Sequence, residues 1–173
     1  MTLNLLTYLV NLKASVANPK QKVSPKAYTT YGMLSKYPEW DDEFKNAMLG
    51  GIDVETGGSF DYKQKQGKGG PGRGLFQFEG KQLSDYNQYL KANNLANSAE
   101  NQIAFVHANM TQKSSKAPHD LGWRSRGELQ GMFQGSDTDT VSDSLMKNYF
   151  RSGVPHIDRR KEASKKYSSS LKP

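Results

Sequence analysis

Apolar residues return along this chain mainly at helical intervals. Phe44, Met48, Gly51 and Ile52 recur at 0, +4, +7 and +8 within Asp41 to Thr56, a spacing that gathers them on one face of a helix. Leu83, Tyr86 and Leu90 form another stripe, and Ile103, Val106 and Met110 a third. Leu5, Leu9, Leu12 and Val16 mark an amphipathic N-terminal docking helix, and weaker helical segments are expected at Leu121 to Phe133 and Thr140 to Arg151. Local punctuation agrees with these elements. Ser24-Pro25 reads as the cap and first residue of a short helix ending near Lys36, Asp41 caps the next helix, and Gly57-Gly58 ends it. Asn97 with Glu100 has the form of a capping box, and Pro155 suits the first position of a final helix reaching Tyr167.

The segment from Ser59 to Gly80 breaks the helical rhythm. Phe60 and Tyr62 alternate with polar neighbours, and GKGGPGRG (Gly67 to Gly74) cannot hold regular structure for long, so a hairpin or irregular β-loop is expected. If Gly74 to Glu79 is extended, Gln77 and Glu79 project to one side while Phe76 and Phe78 pack on the other. The expected class is therefore α+β, mostly helical. At 173 residues the chain suits one domain, with N-terminal helices over 1–40, a core over 41–167 and a frayed tail over 168–173.

Glu55 continues the stripe of its helix at +11, which turns a carboxyl toward the buried side. Burial of a carboxyl without a cationic partner favours the protonated form, the state that a general acid needs. With a glycine-rich loop immediately after it, this pattern points to an acid that protonates a leaving group in a cleft, and glycoside cleavage leads. A buried glutamate satisfied by backbone or an arginine is the alternative reading. Candidates for a second carboxylate are Asp61 and Glu79, with Asp53 weakest because residues two apart on a helix do not face each other. Glu79 could instead simply open the helix near Lys81. Gln77 suits an N-acetyl group or a water. Phe60 and Tyr62 flank the loop and could stack on sugar rings or belong to the core.

Charge narrows the partners without choosing one. Lys and Arg outnumber Asp and Glu by 24 to 17, which attracts polyanions such as nucleic acid, anionic lipid or acidic wall polymers. Lys63, Lys65, Lys68 and Arg73 form one basic run, and Arg159, Arg160, Lys161, Lys165 and Lys166 another. A solvated basic face is the plain reading of both. No nucleic-acid-binding signature is present, and the glycine run lacks the spacing of a phosphate loop. There is no cysteine, and the three histidines are too scattered for a metal site. His156 more simply caps or packs at a helix start, and His119-Asp120 has no nucleophile elbow to complete a triad. No stretch is long enough to span a bilayer, and the N-terminus lacks the basic region of a signal peptide.

AMLGGIDVETGGSFDY followed by GPGRGLFQFEG resembles the lysozyme-like superfamily, in which a helix-ending Glu-Ser/Thr-Gly precedes Gly-Leu-Met/Phe-Gln. More closely, residues 44 to 167 resemble the phage tail lysozyme type of peptidoglycan hydrolase. NQIAFVHANM is similar to that family's Gln-bearing aromatic helix, and YFRSGVPHIDRRKEASKKY to its Pro-Gly-Val-Pro-His-x-x-x-Arg ending. The resemblance implies a lysozyme-like fold in which a small β-hairpin or loop region flanks the active-site cleft. It makes Glu55 the catalytic acid, places Gly74, Leu75 and Gln77 in the cleft wall, and puts Thr56 beside them. Glu79 stands where the more distant goose-type lysozymes carry an acid. Thr56 replaces a commoner serine and keeps the hydroxyl, whereas Arg151-Ser152 departs from an expected Arg-Pro.

By that resemblance the chain is a phage-encoded, monomeric muramidase. It would cleave the β-1,4 bond between N-acetylmuramic acid and N-acetylglucosamine in bacterial peptidoglycan, without a cofactor. It would act as an antimicrobial endolysin, waiting in the host cytoplasm for release to the periplasm, or as a virion-associated enzyme. A lytic transglycosylase giving 1,6-anhydro products and a non-catalytic wall-binding module of the virion are the alternatives.

Overall fold

The computed structural model describes residues 23–111, 137–150 and 156–171. Among them are six α-helices: α1 (Pro25–Leu34), α2 (Asp42–Thr56), α3 (Gly80–Ala92), α4 (Ala99–Thr111), α5 (Thr138–Leu145) and α6 (Ile157–Ser170). A π-helical turn, Met146–Phe150, continues α5. The expected N-terminal docking helix, His119, the helical segment at 121–133, and Arg151-Ser152 lie outside the described residues.

Capping chemistry sets several of these boundaries. Ser24 accepts the Ala27 N–H at 3.2 Å and Asp41 accepts the Phe44 N–H at 2.8 Å, as their sequence positions predict. Gly57 ends α2 in the left-handed conformation at φ 58, which a side chain would resist. At α4 the cap is Ser98, whose Oγ accepts the Asn101 N–H at 3.1 Å. Asn97 is not the cap, because its Oδ1 is occupied by Tyr86 and Gln102. The last helix opens at Ile157 with His156 at its N-cap, and the ring makes no capping bond. The helix runs beyond Tyr167 to Ser170, and Leu171 packs into the core.

Helix α2 is the centre of the fold. It packs against α1, α5 and α6, and the last two pack on each other. Met48, Leu49 and Ile52 are fully buried, each contributing about 1.5–3 kcal/mol by leaving water. The stripe predicted one buried face, yet Asn46, Ala47, Leu49 and Gly50 outside it are buried as well. The reason is close approach on two sides. A Cβ at Gly50 would strike the Ser164 side chain and, at 2.7 Å, the Arg160 carbonyl of α6, while one at Gly51 would strike the Phe150 ring. Each glycine costs helix stability of roughly 0.5–1 kcal/mol relative to alanine, and the close contact offsets it.

Of the hairpin or irregular β-loop expected from Ser59 to Gly80, the irregular loop is what forms, and no hairpin occurs among these described residues. Residues 59–79 form a chain of turns in which Lys65 with Arg73, and Arg73 with Phe78, make isolated antiparallel bridges. Phe60 and Gln77 both sit at φ 49, and with Gly69 and Gly74 also left-handed the extended repeat cannot continue. Phe76 and Phe78 do pack together, with ring centroids 5.5 Å apart, on a core that includes Tyr86 and Phe105.

Candidate active site

Glu55 leaves the last turn of α2 with its side chain 13% exposed, and Arg160 Nη2 of α6 lies 2.6 Å from its Oε1. The expectation of a buried carboxyl without a cationic partner is therefore corrected. Among the described residues no hydrogen bond reaches Glu55 Oε2. The Arg160 side chain, 3% exposed, also reaches the Gly51 carbonyl at 3.4 Å, and its guanidinium lies 4.7 Å from the centre of the Phe150 ring. That ring in turn stacks on Phe76 at 6.2 Å. A continuous contact path thus links the acid to the Gly74-Leu75-Phe76-Gln77 turn.

The turn itself is locked from below. Arg73 and Phe78 exchange two backbone hydrogen bonds of 3.0 and 2.8 Å, and Gln77 N–H donates to the Gly74 carbonyl at 3.3 Å. Gly74 has φ 79, and a Cβ there would collide with the Gln102 side chain. Gln102 is 2% exposed and uses both ends of its amide. Its Oε1 accepts the Leu75 N–H at 2.8 Å, and its Nε2 donates to the Tyr62 carbonyl at 2.9 Å and to Asn97 Oδ1 at 3.0 Å. One buried side chain therefore holds both flanks of the glycine loop.

The predicted site residues separate into two groups. Tyr62 and Gln77 are partly exposed, and Gln77 Oε1 is a buried acceptor without a partner while Nε2 donates to Gly74 O at 2.7 Å. Phe60 is instead in the core, 5% exposed and edge-on to Tyr167 at 6.1 Å, so its face is not open to a sugar. Leu75 is fully buried, and its N–H is already taken by Gln102. Thr56 is buried too. Its hydroxyl donates to Ile52 O at 2.7 Å and accepts the Phe60 N–H at 3.1 Å, tying the helix end to the loop.

No described contact joins either proposed second carboxylate to Glu55. Asp61 Oδ1 is engaged by the Lys63 N–H at 2.9 Å. Glu79 is exposed at the N-cap of α3 and forms no side-chain capping bond. Asp53 is structural, accepting the Tyr167 hydroxyl at 2.6 Å, and that bond together with burial raises the tyrosine pKa well above its usual range, burial being the larger cause. No group of three or more potential metal ligands occurs among the described residues.

Sequence reasoning matched Gln102 to the Gln of the family's aromatic helix and Arg160 to the Arg of its ending, but gave neither a role in the site and placed Arg160 in a solvated basic run. For Arg160 a signal existed. Arg160, Ser164, Tyr167 and Leu171 recur at 0, +4, +7 and +11, and all four are buried. For Gln102 the sign was a polar residue beside the Ile103 and Val106 stripe.

The chain matches the phage tail lysozyme family over residues 26–171 and belongs to it. Membership points to a lysozyme-type activity on bacterial peptidoglycan. No curated protein and no solved structure matches the chain.

Proposed function

We propose that this chain is a muramidase that cleaves the β-1,4 bond between N-acetylmuramic acid and N-acetylglucosamine in peptidoglycan, as an endolysin or a virion-borne enzyme. The observation that carries the reading is the placement of Glu55: a carboxyl at a helix end, near-buried, with one oxygen fixed by Arg160 and the other without a bond among the described residues. Fixing Oε1 orients the group and leaves Oε2 as the oxygen that gives the proton. In the reaction that proton passes to the departing glycosidic oxygen, the C1–O bond breaks, and a water oxygen bonds to C1 while its proton leaves to Glu79, Asp61 or solvent. Gln77, partly exposed at the turn that follows Phe76, is the group that takes an N-acetyl group or a water.

A second reading is favoured by how the other carboxylates are used: Asp61 Oδ1 is held by the Lys63 N–H and Glu79 stands exposed at the start of α3. A lytic transglycosylase needs the acid alone. The sugar's own 6-hydroxyl then attacks C1 and its proton returns to the Glu55 carboxylate. Digesting purified sacculi and weighing the fragment ends decides: hydrated ends support the muramidase, 1,6-anhydro ends the transglycosylase. Soluble fragments released equally by wild type and Glu55→Gln would overturn both.

A further inference from the structure

The longer of the two basic runs is mostly cancelled by the fold, and the shorter is not. On α6, Arg160 is buried on Glu55, Lys161 Nζ lies 2.9 Å from Asp143, Lys165 Nζ 2.8 Å from Asp139, and Lys166 Nζ 3.9 Å from Asp53. A cation so close to an anion presents a dipole to solvent, and its field dies away faster than that of a lone charge. On the glycine loop, Lys63 and Lys65 are exposed and have no carboxylate partner among the described residues. Asp61, the nearest acid in sequence, turns Oδ1 onto the Lys63 backbone N–H instead. Arg73, paired with Lys65 across a bridge, spends Nη1 on the Gly70 and Gly72 carbonyls at 2.8 Å each and is likewise without an acid.

We infer that Lys63 and Lys65, with Arg73 behind them, form a contact site for the carboxylates of the peptide stems on the glycan strand being cut. This rests on the muramidase reading and adds where the strand is held. The loop is presented firmly. Gln66 N–H donates to Gly72 O at 2.9 Å, Gly74 N–H to Gln64 O at 2.8 Å, and Gln102 fixes the Tyr62 carbonyl. The Thr56–Phe60 bond joins this loop to the end of the helix that carries Glu55. On the muramidase reading the strand cut at Glu55 runs past this loop, and the anions it carries there are stem carboxylates rather than the phosphates of a separate wall polymer. Lys63 Nζ also lies 5.4 Å from the centre of the Tyr62 ring, so one locus offers a cation and an aromatic face.

The test compares two double variants that remove equal charge, Lys63→Gln/Lys65→Gln and Lys161→Gln/Lys165→Gln, both in a Glu55→Gln background so that sacculi are bound but not cut. Co-sedimentation with sacculi is measured from about 50 to about 500 mM salt. The loop pair should weaken binding roughly five- to tenfold at low salt and flatten the salt dependence, while the α6 pair changes it less than about twofold. Sacculi stripped of phosphate polymers should preserve the contrast, and amidation of their carboxylates should abolish it. Equal losses in the two variants, or a contrast that vanishes with the phosphate polymers, would overturn the inference. If Glu55→Gln does not fold, the same pairs are compared with wild type in the cold, before turnover. Failure of the muramidase reading shows separately, as sacculi left intact by the wild type.

Discussion

Arg160 Nη2 sits 2.6 Å from Glu55 Oε1 across 105 residues of chain, with the two side chains 3% and 13% exposed. Removing one member of such a pair leaves the other near-buried and uncompensated. Arg160→Met should lower the unfolding free energy by roughly 3 kcal/mol, and adding Glu55→Gln should restore part of it. Urea denaturation of the single and double variants measures this. Strictly additive losses would mean that the pair has no coupling.

Gln102 makes a sharper case, because an isosteric change is available. Gln102→Glu keeps the acceptor for Leu75 N–H but sets a carboxylate oxygen against the Tyr62 carbonyl and Asn97 Oδ1, where an N–H now donates. A loss of roughly 1–3 kcal/mol is expected. Hydrogen exchange at the Leu75 and Gly74 amides should speed up more than exchange in α5, and uniform acceleration would contradict a local role.

Gly50 and Gly51 differ in what an added methyl would meet. At Gly50 it strikes α6, including the Arg160 carbonyl at 2.7 Å, whereas at Gly51 it strikes the movable, partly exposed Phe150 ring. Gly50→Ala should therefore be the more damaging, by roughly 1–3 kcal/mol, and Ser164→Ala should not rescue it because backbone atoms remain in the way. Thermal melts of the three variants check the order.

Glu39 and His107 form a close pair, with Tyr37 stacked on the imidazole and Trp40 edge-on to it. Burial alone pushes the Glu39 carboxyl up, but the His107 hydrogen bond and charge, with a backbone bond, outweigh it and hold the group below its ordinary value. A carboxyl lowered in the fold contributes stability above its unfolded pKa, near 4.5, and loses it as pH falls through the folded value. Wild type should out-melt Glu39→Gln at about pH 6, and the gap should close by about pH 3. A gap that widens in acid would reverse the sign.

How much was legible in the sequence varies with the range of the interaction. Caps at Ser24 and Asp41, the stop at Gly57 and the stripe through Phe44, Met48 and Ile52 were readable because cap, turn and helical period are decided within a few residues. So was the inward turn of Glu55, and the motif that places the chain in its family. Tertiary structure alone decided the rest. Composition after Gly58 allowed a hairpin or an irregular loop, and left-handed backbone at Phe60 and Gln77 with the hold of Gln102 selected the irregular one. Phe60 could have faced a sugar or the core, and packing decided for the core, where it meets Tyr167 of α6 edge-on. Above all, the sequence could place a carboxyl on a buried face but could not say what it would meet there. That was fixed by α6 packing against Gly50, which brings a guanidinium to Glu55 from the other end of the chain. Local periodicity sets the direction of a side chain, whereas its charge state and partners depend on which distant surface fills the space opposite.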